Sequence, residues 1–336
     1  MRKMILALTA GLALCLALLF APAGLAAAKT PKPTNTPKPT VAPLREAWPE
    51  LPPLDGEGYL AQDAGMTEFV HADADNGLWL YLTKDVRVEI QRYSDPNKPL
   101  IWYESILRCR DGAHLDAPVT NPQNPGTQLR QPEFIARKYK LVFAMSDDYF
   151  GDRKYNKLTQ GIIVRDGTVV SEKTWKNDST AFPNLETMAL FPDGSLMVYK
   201  SKEHTGAEFV EMGATDVFAF GPILIRDGEV NETLGKKNNY LEPRCAFGMI
   251  EPNHYVSIIA EGRHSKSEGT GLDWIARRMK EMGVTQALNL DGGQTAALVF
   301  MGEKINTTGK FGPKASIRSL SGMISLGVSG LVPEND

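Results

Sequence analysis

Three stretches of this chain share one plan, and that plan restricts the folds open to it. Gly161 to Val170, Ala189 to Val198 and Ile223 to Val230 each place an Asp-Gly pair (Asp166-Gly167, Asp193-Gly194, Asp227-Gly228) between two apolar arms. Tight two-residue hairpins need left-handed backbone at the turn. Asp tolerates that conformation and Gly adopts it freely, so Asp-Gly between apolar arms predicts a hairpin. Hairpins join antiparallel neighbours, which points away from a parallel, helix-wrapped sheet. Leu78–Leu82 and Val86–Ile90 add aromatic and branched strand segments, the second alternating with period two. Lys140 to Met145 looks like a buried strand. One helix is clear: Leu272, Ile275, Ala276, Met279 and Met282 recur at three- and four-residue spacing. Thr270 is placed to cap its start, and Gly283 to end it. The expected class is α+β: a twisted, mostly antiparallel sheet with a few covering helices, forming a single catalytic domain.

The N-terminus sets the expected compartment. Arg2 and Lys3 precede an apolar run from Ile5 to Phe20, and small residues follow up to Ala28. This pattern is a secretory signal peptide over 1–28, with an uncleaved anchor as the alternative. Leu14 before Cys15 argues against lipidation. Thr30-Pro31-Lys32-Pro33-Thr34 is repeated from Thr36 to Thr40. Proline fixes φ and removes donors, so 29–53 reads as a semi-rigid Pro/Thr/Lys-rich tether ahead of a domain over 54–336. The expected location is secreted or associated with the cell envelope. No later apolar run is long enough to span a bilayer. A formal charge of −3 without a basic block makes nucleic acid a poor partner. Beyond the signal only Cys109 and Cys245 remain, either one disulfide or two buried thiols.

The chemistry concentrates where polar residues meet glycines. Ala287-Leu288-Asn289-Leu290-Asp291-Gly292-Gly293 is a buried run ending in a carboxylate and two glycines. Such an ending aims an acid at a gap that the backbone can line closely; an ordinary turn is the plain alternative. Pro243-Arg244-Cys245-Ala246-Phe247-Gly248 opens one strand region, and Glu261-Gly262-Arg263 closes the next, followed by Ser265 and Glu268. Arginines at strand ends are usually solvated. Several converging on one pocket would suit a phosphate, whose oxygens match the guanidinium fork. The five histidines lack paired zinc-ligand spacing, so no metal is expected. Asp73 to Lys84 fails as a calcium loop: its glycine comes one position early, and Lys84 stands where a bidentate Glu belongs. Gly269-Thr270-Gly271 lacks the third glycine of a dinucleotide turn, and no Gly-x-Ser-x-Gly elbow occurs.

Taken in order, these segments resemble the phosphodiester glycosidase family, over about Gly77 to Gly327. Ala144-Met145-Ser146-Asp147-Asp148-Tyr149-Phe150 is similar to its Ala-x-Asn-Gly-Asp-Tyr-Phe block, and Phe218 to Leu224 to its Phe-Gly-Pro segment. Pro243-Arg244 through Gly248, Glu261-Gly262-Arg263, Ser267-Glu268-Gly269 and Asn289 to Gly293 follow in the same order, then Gly302, Asn306 and Arg318. The departures are specific. Ser146 stands for Asn and Asp147 for Gly. Gln294-Thr295-Ala296 replaces a Gly-Ser-Ser type run, and Gly322 sits where an Asp often follows the Arg-x-x-Ser run at Arg318–Ser321.

The resemblance implies a hydrolase that removes a sugar from a sugar-1-phosphodiester, with no cofactor. Its expected substrate is a phosphorylated glycan, such as envelope polysaccharide or exopolysaccharide. Asp291 is the first candidate for the carboxylate at the ring, with Arg244 and Arg263 as phosphate-stabilising catalytic groups. Asn289, Gly292, Gly293, Ser265, Glu268, Asp148 and Arg318 are candidates for substrate contacts. The alternative is a non-catalytic envelope module that keeps the pocket and binds phosphorylated glycan.

Overall fold

Among the described residues, alternating apolar strands and Asp-Gly turns build three sheets in which every strand pair is antiparallel. The computed structural model describes residues 48–110, 112–148, 161–173, 185–234, 240–309 and 317–335. The segment expected to be a signal peptide, most of the expected tether, and Tyr149-Phe150 lie outside the described residues. Strands β1 (Phe69–Asp73), β2 (Leu78–Leu82), β3 (Val86–Ser94) and β4 (Ile101–Cys109) form a meander, followed by β5 (Leu115–Asp116). Helix α1 (Pro132–Lys138) leads into β6 (Leu141–Met145). The first two Asp-Gly hairpins are β7 (Gly161–Arg165) with β8 (Thr168–Lys173), and β9 (Glu186–Leu190) with β10 (Leu196–Tyr199). Helix α2 (Gly206–Glu211), β11 (Asp216–Phe220) and the third hairpin, β12 (Ile223–Arg226) with β13 (Glu229–Val230), follow. Both turn residues are left-handed at Asp166-Gly167 and Asp227-Gly228, as their sequence requires. The C-terminal part carries β14 (Arg244–Glu251), β15 (His254–Ala260), α3 (Leu272–Glu281), β16 (Gln286–Leu290), β17 (Leu298–Phe300), β18 (Glu303–Lys304) and β19 (Ile324–Val328).

The largest sheet has nine strands in the order β1-β2-β3-β4-β15-β14-β16-β12-β13. One of its faces is covered by α3, which buries Leu272, Ile275, Ala276 and Met279 against Ala246, Val256, Ile258 and Ala287. The other face shares a single core with the two five-stranded sheets, through residues such as Phe143, Met188, Phe218, Phe247, Leu288 and Leu298. Fully burying side chains of this size stabilises the fold by roughly 1.5–3 kcal/mol each. Among the described residues no helix is long and apolar enough to cross a membrane.

Two local expectations change. The N-cap of α3 is Gly271, with no side-chain cap; Thr270 instead pairs through its backbone with Glu242. Gly283 does end the helix, at φ +87°. The packed body also starts earlier than Leu54: Trp48 and Leu51 join Leu54 against Leu60, Leu80 and Leu82. Burial of an aromatic and an aliphatic side chain stabilises that docking.

The cysteines are separate buried thiols, and the register explains why. Cys245 is opposite Ile259, and Ile259 is opposite Tyr103. Cys109 lies six residues further along the same strand as Tyr103, about 20 Å away at the usual strand rise. A disulfide needs Cα atoms within roughly 7 Å.

Candidate active site

The antiparallel register brings three of the sequence candidates to one end of the large sheet. Arg244 opens β14 opposite Ala260, the last residue of β15, while Cys245 is opposite Leu290, the last residue of β16. Arg244, the Glu261–Arg263 segment and Asp291 therefore leave three adjacent strands at the same edge. Asp291 is 8% exposed, and its N–H donates to the carbonyl of Asp147 at 3.4 Å.

The two glycines after Asp291 are dictated by close approach. A Cβ on Gly292 would stand 2.6 Å from the carbonyl oxygen of Pro243 and 3.3 Å from the Cα of Arg244. Gly293 has φ +61° and donates its N–H to that same Pro243 carbonyl at 2.8 Å. A Cβ on Gly293 would meet both terminal nitrogens of Arg263 at 3.3 Å. The Arg263 guanidinium thus lies over the glycine turn, next to Asp291 in sequence and beside the root of Arg244 in space.

Both arginines are held from behind. Arg263, itself at φ +64°, donates Nε to Glu242 Oε2 at 2.6 Å. Arg244 donates Nε to Thr270 O at 3.2 Å and Nη2 to Tyr240 O at 2.9 Å. Burial, together with the positive charge of Arg263, holds Arg244 below its ordinary pKa, while Glu242 opposes that shift. The two like charges act on each other, and the Glu242 carboxylate offsets both only in part, which favours a further anion near them.

The remaining candidates separate. Arg318 is exposed, but its backbone N–H bonds to Gln294 O at 2.9 Å, which ties it to the residue after Gly293. Asn289 donates Nδ2 to Gly221 O at 2.7 Å, and its backbone bonds to Gly221 and Pro222. It braces the bend before β12. Asp148 is fully buried; it accepts the Ala219 N–H at 2.6 Å and pairs with Arg165. Its side chain ties β11 and β7 to the end of β6, so it serves as an internal brace. Ser265 and Glu268 are exposed on the turn closed by His264 and Ser267, and the Glu268 N–H bonds to Pro99. The structure leaves these two side chains outside the group formed by Asp291, Arg244 and Arg263.

Glu261 is committed elsewhere, accepting from Tyr103 Oη at 3.1 Å and the Thr307 N–H at 2.7 Å. Asn306 is likewise internal, bonding the backbone of Leu298 and Ala296. Sequence reasoning missed Glu242, whose only signal was a charge two residues before Arg244, and Arg165, a charge in an apolar hairpin arm. Among the described residues no group of three His, Cys, Asp or Glu is placed to hold a metal ion. A cavity of about 1190 Å³ lies beyond Arg165, between the Gly112–Pro125 segment and the β7–β8 hairpin. Asp291, Arg244 and Arg263 do not line it.

The fold and this strand-end constellation define a class before they define a reaction: an antiparallel α+β scaffold with an acid, an arginine over a glycine turn and a second arginine on the neighbouring strand. The phosphodiester glycosidase family matches residues 139–324, more than half of the chain, and the chain belongs to that family. Membership supports a glycosidase-type function. The chain is similar to the zebrafish N-acetylglucosamine-1-phosphodiester alpha-N-acetylglucosaminidase catalytic domain, auto-inhibited by its pro-peptide. That likeness has a TM-score of 0.55 at 18% identity, over 78% of this chain and 88% of that one, and it shows the fold. A Bacillus subtilis (strain 168) protein, the SPbeta prophage-derived uncharacterized protein YomE, is 27% identical over 176 residues, 51% of this chain. The match spans 26% of that relative's own length.

Proposed function

We propose that this chain is an exported hydrolase that cleaves the sugar from a sugar-1-phosphodiester, releasing free sugar and a phosphomonoester. One observation carries the reading: the Arg263 guanidinium lies over Gly293 while Arg244 opens the adjacent strand beside Asp291. Cleavage of the anomeric C–O bond places positive charge on the ring and negative charge on the departing phosphate. Asp291 stabilises the ring or positions the attacking water. The arginines hold the phosphate oxygens and stabilise the charge that grows on them. A phosphate leaves with less protonation than an alkoxide needs, which suits a site with more arginine than paired carboxylate. Glu242 keeps Arg263 aimed without sitting at the reacting atoms.

Hydrolysis of an N-acetylglucosamine-1-phosphodiester in heavy-oxygen water, followed by mass spectrometry of both products, tests this reading. Label in the sugar is expected. Label in the phosphate would mean P–O cleavage and overturn the mechanism, and retained binding without product would make the protein a glycan-binding module. Export is tested by intact mass: protein recovered outside the cell should begin near residue 29, and one that keeps Met1 would refute processing.

A further inference from the structure

Gly322 is a glycine for which the backbone gives no reason, since it is absent from the left-handed positions. A Cβ there would stand 2.7 Å from Asp147 Oδ2, closer than to Pro118 O at 3.3 Å or Val119 Cγ1 at 3.4 Å. The carboxylate of Asp147 therefore fills the space that a side chain at 322 would use. That carboxylate is 3% exposed and pairs with Arg165 Nη2 at 3.3 Å. Arg165 is shared with Asp148 and lies over the Phe218 ring at 4.4 Å. The carbonyl of Asp147 takes the N–H of Asp291. Burial raises the Cys245 thiol, and the negative charges of Asp291 and Asp147 raise it further.

These two positions are also where the sequence departs from the resembled pattern in opposite senses. An acid replaces glycine at 147, and glycine replaces an acid at 322. The two departures meet in space.

We infer that Asp147 is a positioning residue for Asp291: it supplies, from the loop after β6, the carboxylate that fills the space of position 322, and its carbonyl holds the Asp291 backbone. This rests on the reading of Asp291 as the reacting acid. One carboxylate fits that space beside Arg165. Two would collide and repel, and with none the buried Arg165 charge loses one of the three acids, Asp147, Asp148 and Asp216, that offset it.

Four forms test it: wild type, Asp147→Gly, Gly322→Asp and the double variant, each measured for Tm, for kcat and KM on an N-acetylglucosamine-1-phosphodiester, and for the Asp291 amide resonance. Each single variant should lower Tm and the double variant should recover it, a non-additivity expected of groups in contact. Asp147→Gly should lower kcat about 10- to 100-fold with KM changed less than about twofold, as for a misplaced reacting group. The double variant should restore kcat and return the Asp291 resonance to its wild-type position. Should Asp147→Gly fail to fold, Asp147→Asn, which keeps the volume and the carbonyl but loses the charge facing Arg165, should lower kcat less than about 10-fold with KM unchanged, and a larger loss would overturn the space-filling role. Additive losses in Tm, or an Asp291 resonance and kcat that stay displaced in the double variant, would overturn the inference. If wild type releases no sugar, the functional reading fails, while Tm and the Asp291 resonance still decide the positioning role.

Discussion

Replacing Asp291 by Asn keeps the shape of the side chain and removes its charge. Asp291 is only 8% exposed, so its field on a bound ring is screened less than that of a surface acid. A full charge about 4 Å from the carboxylate interacts by roughly 4 kcal/mol at an effective dielectric of 20. A ring carrying half to all of that charge at the transition state would lose about 2–4 kcal/mol, or roughly 30- to 1000-fold in kcat. Stability should barely move, because the Asn side chain fits the same space and the backbone bond to Asp147 is kept; a shift of about 1–2 °C in Tm is the ceiling for a chain of this size. The assay is release of reducing sugar from an N-acetylglucosamine-1-phosphodiester, with a thermal melt of the same sample. Wild-type turnover in Asp291→Asn would show that this carboxylate is not the group at the ring. Lost turnover with collapsed Tm would show instead that Asp291 serves the fold.

Three other measurements address separate links. Arg263→Lys should weaken inhibition by inorganic phosphate about 10-fold or more, since one ammonium cannot keep the Glu242 bond and also present a planar fork; unchanged inhibition would remove Arg263 from the phosphate site. Protein lacking residues 1–28 should release two thiols on non-reducing denaturation. Native protein at pH 8 should react slowly, because burial pushes Cys109 up to about 11 and Cys245 well above its ordinary value; fast native labelling would contradict that burial. Glu186 is half-buried and its carboxyl is raised, chiefly by burial. Its folded form therefore holds the proton more tightly than the unfolded chain does, so its destabilising effect is absent below the unfolded value and grows as pH rises through the folded one. Glu186→Gln should raise Tm at pH 7 and leave it unchanged near pH 4, and an equal gain at both would refute the linkage.

Much of this protein follows from short-range rules. Asp166-Gly167 and Asp227-Gly228 specify hairpins because only a few residue types accept two consecutive left-handed positions, and the apolar stripe on α3 announces the face that meets the sheet. The block from Asn289 to Gly293 was legible as a buried strand ending in an acid and two glycines, with an ordinary turn as the plain alternative, and close approach to Pro243 and Arg263 is what requires those glycines. What stayed hidden depends on register and on neighbours far apart in the chain. The distance between Cys109 and Cys245 is set by an intervening strand that pairs with each at opposite ends. The separation of Asn289 and Asp148, which became braces, from Arg263, which reaches the glycine turn, and Arg244, whose backbone packs under that turn, is set by which backbone groups the three sheets leave to be satisfied. Ser265 and Glu268 share a segment with Arg263, yet a tight turn carries them outward. Sequence order supplied the acids and arginines; tertiary packing chose which of them meet, and placed the Asp147 carboxylate in the space left by Gly322, because that choice is made by contacts between strands rather than along them.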